Sequence, residues 1–474
     1  MPPLTRASAQ EARVVTLPAR DAPVLVDVDV LVVGGGPAGI GAAIGAADAG
    51  ADVLLTERYG FVGGCPTAAL VMPLMSYHTQ RPSPRLAGST SLLPTDHGPG
   101  KPVIAGVVRR LVDRLVERGG AIPPSIETGY VVPFDPEVFK SVALELLDEA
   151  GVRYLLHSLA SGIIGSTTVE GVVFETKSGP VVVTAKAVVD CTGDGDIAAF
   201  AGANYEVGRE PDGLTSPMTL MFRMAGFSRD RFSAYVGEHP DQWLGVHGLW
   251  NLVREATLRG DLNLKREDIL LFATPHDDEV IVNSTRIGGV DGTNVCDLSY
   301  AEREGRRQMD EIASFLKRYV PGFEEAYVIQ SGTTVGVRGT RRIVGDYILT
   351  ADDVLQARKF DDVIARSAYP IDMHNPDGPG TIMRRLPPDE AYDIPLRCLL
   401  PTGIERLIVA GRCISGTYEA HSSLRAAATC MATGQAAGVC AALAVQGSIS
   451  LHRMPVAEVQ RELVRQGADL RGVA

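Results

Sequence analysis

The stretch from Val30 to Glu57 constrains the fold more than any other part of the chain. The apolar run Val30-Leu31-Val32-Val33 reads as a buried parallel strand. It breaks into Gly34-Gly35-Gly36-Pro37-Ala38-Gly39. An Ala/Gly-rich helix is expected from there to about Ala49, with Gly50 as its cap. Val53-Leu54-Leu55 opens a second strand that ends on Glu57. Gly34 suits the tight turn, Gly36 lets the backbone approach a pyrophosphate, and Gly39 with Ala42 and Ala43 lets the helix pack on the strand. The N–H groups and positive dipole end of that helix suit phosphates. Glu57, 21 residues after Gly36, suits the two hydroxyls of an adenosine ribose and repels a 2′-phosphate. The pattern predicts a dinucleotide fold for FAD or NAD, not NADP.

The next motif separates flavin from nicotinamide. Arg58 is followed by Gly63-Gly64-Cys65-Pro66-Thr67, and a Gly-Gly pair shortly after the acidic residue offers backbone N–H groups to a second phosphate. In flavoproteins this loop runs on beneath the isoalloxazine; plain NAD dehydrogenases lack it. An ordinary glycine turn is the alternative. A second signal is Ala187-Val188-Val189-Asp190-Cys191-Thr192-Gly193-Asp194-Gly195-Asp196, a buried strand entering a small-residue turn. It reads as packing near the adenosine side of FAD, with a ligand-free turn or a metal site of Asp190, Asp194 and Asp196 as alternatives. No Glu stands where a calcium loop needs one, and no metal is expected. The third signal is the strand Glu405 to Val409, ending in Ala410-Gly411-Arg412. A long helix rich in Ala and Gly is expected from about Ser422 to Ala444, its N-terminus aimed at the flavin pyrimidine edge.

With 474 residues the chain has room for two or more domains. Lys+Arg 45 against Asp+Glu 57 gives a net charge of −12, which argues against sequence-independent nucleic-acid binding. No secretory signal is read at the N-terminus, and no apolar run reaches the ~18 residues of a membrane span. Seven scattered cysteines fit reduced thiols in the cytoplasm. The expected organisation is α/β. Residues 1–23 form an arm and 24–204 the first part of a Rossmann-type FAD-binding domain, with a lid-like surface loop at 76–101. Residues 205–384 form an inserted α+β substrate domain, 385–446 the return segment and 447–474 a C-terminal helix. Val152 to Val183 reads as short strands of a small crossing sheet, Asp135-Pro136 as a helix start, and Met454 to Gln466 as an amphipathic helix suited to a dimer contact.

Taken together these segments resemble FAD-dependent oxidoreductases of the glutathione-reductase fold, in the single-dinucleotide branch that includes succinate dehydrogenase and fumarate reductase flavoproteins. More closely, the chain resembles the bacterial FAD-dependent oxidoreductase family. The blocks that carry this likeness are Gly336-Val337-Arg338-Gly339-Thr340-Arg341-Arg342 and Ala410 to Ala420. The resemblance implies FAD contacts at Gly34, Gly36, Pro37, Ala38, Gly39, Glu57, Arg58, Gly63, Gly64, Thr67, Asp194, Gly411, Ser423 and Leu424. Cys65, Thr192, Gly193, Arg412 and Ser422 adjoin them and join the cofactor set. Tyr418 stands where the family has His, and Ser422 where it has Gly.

Three absences narrow the chemistry. Leu70 stands where a disulfide reductase needs its second cysteine. No second glycine-rich NAD(P)H motif follows, and the Asp-Gly motif of aromatic-ring monooxygenases is missing. A flavin dehydrogenase or oxidase remains, taking a hydride from a C–H next to O or N in a small polar, carboxylated metabolite. Its electron acceptor, oxygen or a carrier, is unassigned. The alternatives are a C=C reductase or desaturase with an arginine proton donor, and a non-redox lyase or isomerase using FAD. On a strand Arg338 and Arg342 point the same way, where they suit a carboxylate; ion pairs with Asp346 or Asp361 are the alternative. His374 is the candidate general base, and His421 and Tyr418 complete the catalytic set. Cys65 and His421 are also candidates for covalent flavin attachment.

Overall fold

The chain's apolar β-runs assemble into a seven-stranded sheet in the computed structural model, which describes residues 14–81, 88–210, 212–264, 266–376, 378 and 380–472. Its strands are β1 (Val24–Val33), β2 (Val53–Thr56), β3 (Arg153–Leu155), β4 (Leu159–Gly165), β5 (Val169–Thr176) and β6 (Gly179–Asp190), in the order β3-β2-β1-β6-β5-β4, with Leu407–Val409 on β6. β1 pairs in parallel with β2 and β6, placing Val33 opposite Thr56 and Asp190. Val409 also lies opposite Asp190. These parallel strands therefore stop at one edge, where open α/β sheets hold ligands.

The region expected as a separate crossing sheet instead extends the main one. β6 is a single strand whose first half pairs antiparallel with β5 and whose last residues pair in parallel with Leu407–Val409. Nothing in Thr184-Ala185-Lys186-Ala187 interrupts it, and the exposed Lys186 ties it to Asp29 on β1 at 2.8 Å. The surface loop expected at 76–101 also differs. Tyr77, Thr79 and Gln80 are buried, and Thr79 N donates to Lys101 O at 2.7 Å, so its start is a pinned strand pair. Residues 82–87 of that loop and 1–13 of the expected arm lie outside the described residues.

Small residues set the key crossing. α1 (Pro37–Asp48) follows β1; near the other end of the chain come α2 (Tyr418–Leu424) and α3 (Ala427–Gly447). α1 and α3 meet through glycines on both sides. A Cβ at Gly434 would lie 2.0 Å from Ala38 O, and one at Gly438 2.0 Å from Ala42 O. From the other helix, Gly41 would meet Met431 O at 2.2 Å and Gly45 would meet Gln435 O at 2.7 Å. α3 is long and apolar enough to cross a membrane by length and composition, but 83% of its apolar window is buried inside the protein. It is a core helix.

The single helix expected from Ser422 is in fact two. Thr417 caps α2, its side chain accepting from Ala420 N, and Ala426 is extended at φ −61°, ψ 138° before α3 starts. Arg425 closes α2 and donates to Asp372 O at 3.1 Å, so the break turns Arg425 toward β7 (Ile371–His374), which pairs with β8 (Thr381–Arg384).

A six-stranded antiparallel sheet forms a second core. Its order is Tyr327–Ser331, Phe222–Ala225, Glu279–Val282, Ile269–Ala273, His247–Gly248, Trp243–Leu244. Phe232 packs edge-on against Trp243 and Phe323 in that core. Asp135 links the two parts: one oxygen caps the helix Pro136–Glu149, and the other meets His276 at 3.1 Å and Arg223 at 3.3 Å.

The α1–α3 crossing makes a direct prediction. Gly434→Ala should cost at least about 1–3 kcal/mol by overpacking, read as a lower urea midpoint together with lower flavin content. An unchanged midpoint would contradict the crossing.

Candidate active site

Two cavities meet at the C-terminal edge of the main sheet. The first, of about 270 Å³, is lined by Gly34, Gly36, Pro37, Ala38, Glu57, Arg58, Gly64, Cys65, Thr192, Gly193, Asp194, Gly411 and Arg412. Those are thirteen of the expected cofactor residues. Gly34 is held at φ +103°, and a Cβ there would strike Cys191 O at 2.4 Å, so glycine is required. No side chain caps the first turn of α1, and no acidic residue lies in it, which leaves its N–H groups to an anion. Glu57 accepts from Gly35 N at 2.7 Å and from Tyr59 N at 3.0 Å. Burial raises its pKa, and these N–H groups oppose the rise.

The remaining cofactor candidates act one layer back. A Cβ at Gly39 would sit 1.7 Å from Gly34 O, so Gly39 serves the turn. Gly63 N donates to Gly35 O at 2.8 Å, and Thr67 Oγ1 donates to Val62 O at 3.0 Å. Ser422 Oγ donates to Glu419 O and receives Asp372 N; Ser423 Oγ donates to Tyr369 O at 2.6 Å. Ser422, Ser423 and Leu424 are buried and line neither cavity; the two serines hold β7 in place. The helix end that borders the cavity belongs to Ala427, which has no side-chain cap before it.

The three acidic residues of the turn after β6 are each engaged separately. Asp190, pushed up to about 6 by burial, accepts from Thr192 Oγ1 at 2.7 Å and Ala198 N at 3.0 Å. Asp194 accepts from Arg412 and Thr340, both at 2.7 Å, and Asp196 from Arg341 at 2.8 Å. The block Arg338 to Arg342 thus clamps this turn with Thr340 and Arg341.

The second cavity, of about 540 Å³, shares Cys65, Val71, Val337, Arg412 and Arg425 with the first, so the two adjoin along a common wall. Arg338 and His374 line it. The other catalytic candidates do not. Arg342 is buried and donates to Gly416 O and Gly208 O, each at 3.0 Å, and pairs with Glu206 at 3.0 Å. Tyr418 OH meets Ser216 Oγ at 3.1 Å, and His421 Nε2 donates to Arg412 O at 2.7 Å. The expected Arg338–Arg342 pair fails because only Arg341–Ile343 is strand, so the strand alternation does not extend back to Arg338.

Around His374 the structure assembles groups that sequence spacing does not connect. Asp372 Oδ2 lies 3.6 Å from His374 Nε2 and 3.6 Å from Arg425, and accepts from Tyr369 OH at 3.2 Å. Burial works against the Asp372 carboxylate, but contact with the His374 ring and the charges of Arg425 and Arg338 hold it well below the usual range. Burial and then Arg338 depress His374, leaving a neutral ring. Arg338 donates to Pro217 O at 2.6 Å and Thr219 Oγ1 at 2.5 Å, and Arg286 donates to Asn375 O and Gly380 O at 2.9 Å each. Neither forms an ion pair among the described residues. Arg425, Arg286 and Asp372 escaped the sequence reading. The one available signal was Asp372, two residues before His374 on the same strand and hence on the same face.

The cleft combines two uncapped helix ends with a buried carboxylate, the kinds of group that a dinucleotide needs. Residues 29–463 match the model of the FAD dependent oxidoreductase family, and the chain belongs to that family. It is an FAD-dependent enzyme. No curated protein matches it by sequence. Among solved structures, a geranylgeranyl bacteriochlorophyll reductase-like protein of Thermoplasma acidophilum is 15% identical. The match covers 93% of this chain and 83% of that one, with a TM-score of 0.45. The p-nitrophenol 4-monooxygenase PnpA of Pseudomonas putida DLL-E4 is 13% identical over 93% and 86%, with a TM-score of 0.48. These likenesses are too distant to bear on the reaction.

Two predictions follow from the geometry. Glu57→Gln should weaken FAD binding about 10- to 100-fold, the loss expected for a hydrogen bond to a charged group, by fluorescence titration of the apoprotein. His421 is buried, and burial followed by Arg342 lowers its pKa from 6.5 to about 3. Because the unfolded chain takes up this proton first, its contribution is complete above 6.5 and is lost as pH falls toward 3. In His421→Gln, the slope of unfolding free energy below pH 6.5 should be shallower by about 1.4 kcal/mol per pH unit.

Proposed function

We propose that the enzyme oxidises a C–H bond next to oxygen or nitrogen in a carboxylated metabolite, as a dehydrogenase or oxidase. The observation that carries this reading is the wall that the two adjoining cavities share at Cys65, Arg412 and Arg425, which sets a substrate in the larger one beside the cofactor. Bound FAD supplies the hydride acceptor. Arg338, lining the chamber without an ion-pair partner among the described residues, binds the carboxylate. His374 takes the proton from the substrate hydroxyl or amine through Nδ1, the ring nitrogen turned away from Asp372, its ring being neutral and so free to accept one. Asp372 orients that ring and stabilises the imidazolium as it forms, while Arg425 and Tyr369 fix Asp372.

A second reading rests on one observation. Arg338 lines the larger cavity without an ion-pair partner among the described residues, a position from which it gives a proton to an activated double bond, and burial, then Arg425, lowers its pKa. This would be a C=C reductase or desaturase.

The glutathione-reductase-like division, with residues 205–384 as a substrate domain inserted into the FAD-binding domain, belongs to this proposal. The six-stranded sheet within 205–384 supports it. A cytoplasmic setting is supported by seven free cysteines, six of them buried.

Anaerobic mixing tests the reaction. A carboxylated alcohol or amine should bleach the flavin of the wild type. His374→Asn should lower kcat by about 10²- to 10⁴-fold with FAD content unchanged, and Arg338→Gln should act mainly on KM. Bleaching only by a reduced electron donor, with Arg338→Gln acting on kcat, would move the assignment to the second reading.

A further inference from the structure

The larger cavity says more about its occupant than that it carries a carboxylate. Its volume of about 540 Å³ lies within the roughly 300–1,000 Å³ of clefts that take drug-sized ligands. A compact polar metabolite would leave most of it to water. Arg286, Arg338 and the apolar residues named below line this cavity and not the cofactor cleft.

The lining divides by chemistry. Arg286 and Arg338 are cations whose donors to backbone and hydroxyl acceptors leave their charge without an ion pair among the described residues. The other cations near them are already paired, Arg266 with Asp268 at 3.0 Å and Arg425 with Asp372 at 3.6 Å. Burial followed by the nearby Arg266 lowers the Arg286 pKa. Asp268 opposes that shift but is itself paired with Arg266, so the charges of Arg286 and Arg338 are left for an anion to relieve. Much of the rest is apolar: Met72, Met75, Met221, Leu244, Trp250 and Phe272 all line the cavity. Methionines on such a wall adapt to irregular apolar shapes. Apolar surface of this extent gains nothing from a substrate made only of polar groups, whereas an alkyl or aromatic body removes it from water.

We infer that the substrate is an amphipathic acid, with a carboxylate held between Arg286 and Arg338 and an apolar body of several carbons along the methionine and aromatic wall. This rests on the proposed function in taking the larger cavity as the substrate site. It departs from the compact polar metabolite that the sequence suggests.

The test is a binding series that does not depend on turnover. FAD-loaded protein is titrated by calorimetry with straight-chain carboxylates from acetate to decanoate and with the matching primary amides. Binding should tighten about fourfold for each added methylene, the transfer value for a buried CH₂, over several carbons before levelling off. Each acid should bind at least about tenfold more tightly than its amide, as expected for a charge-assisted contact. Arg286→Gln should remove that preference while leaving amide binding unchanged, and Arg286→Lys should keep part of it. Affinity that is flat with chain length, or equal for acid and amide, would overturn the inference. Acids that bind in the predicted pattern but whose 2-hydroxy and 2-amino derivatives never bleach the flavin would contradict the proposed reaction instead. Bleaching by a short hydroxy acid with flat chain-length dependence would keep the reaction and reject this substrate class.

Discussion

The crossing of α1 and α3 is the contact on which the rest of the structure depends. Gly41 and Gly45 on one helix and Gly434 and Gly438 on the other each face backbone of the partner, with no room for a methyl group. Backbones this close allow little sliding, because interiors packed at crystal density resist small displacements. Both helices begin at the cofactor cleft, α1 at Pro37 and α3 at Ala427. One packing contact, made between segments nearly four hundred residues apart, therefore brings two positive helix ends to one cleft.

Around that frame, polar clamps fix the loops that finish the cradle. Thr340 and Arg412 grip Asp194, and Arg341 grips Asp196, so the segment that borders the larger cavity is tied to the turn after β6. Arg338, two residues before Thr340, lines the chamber. Ser422 and Ser423 in α2 hold β7, and β7 carries Asp372 and His374. α2 thus fixes the strand that carries Asp372 and His374, while Thr340, Arg341 and Arg412 fix the turn after β6.

The parts of this arrangement that were legible in the sequence have local causes. The strand–turn–helix at Val30 to Asp48, the acidic Glu57 and the cap at Asp135 each follow from a few adjacent residues. What escaped depends on contacts distant in sequence or on breaks without a marker. No Gly or Pro signals the extended Ala426, so a continuous helix was expected and Arg425 went unnoticed. His421 reads as a reactive residue from its neighbours, yet its ring is committed to Arg412 O. Arg342 likewise spends its donors on backbone carbonyls and Glu206, which no spacing rule anticipates. Arg286 comes from a segment between the second sheet and the long helix Val295–Tyr319, and only the fold brings it beside Arg338.

The central claim is that the cofactor cleft holds FAD at the sheet edge and presents its flavin to the adjoining chamber of Arg338 and His374. A crystal structure of the protein purified with its cofactor tests this most directly. The account predicts the diphosphate on the first turn of α1, the ribose on Glu57, and the flavin beside Ala427 with one face open to His374. A flavin turned away from the chamber, or one bonded to Cys65 with its ring outside the shared wall, would contradict it.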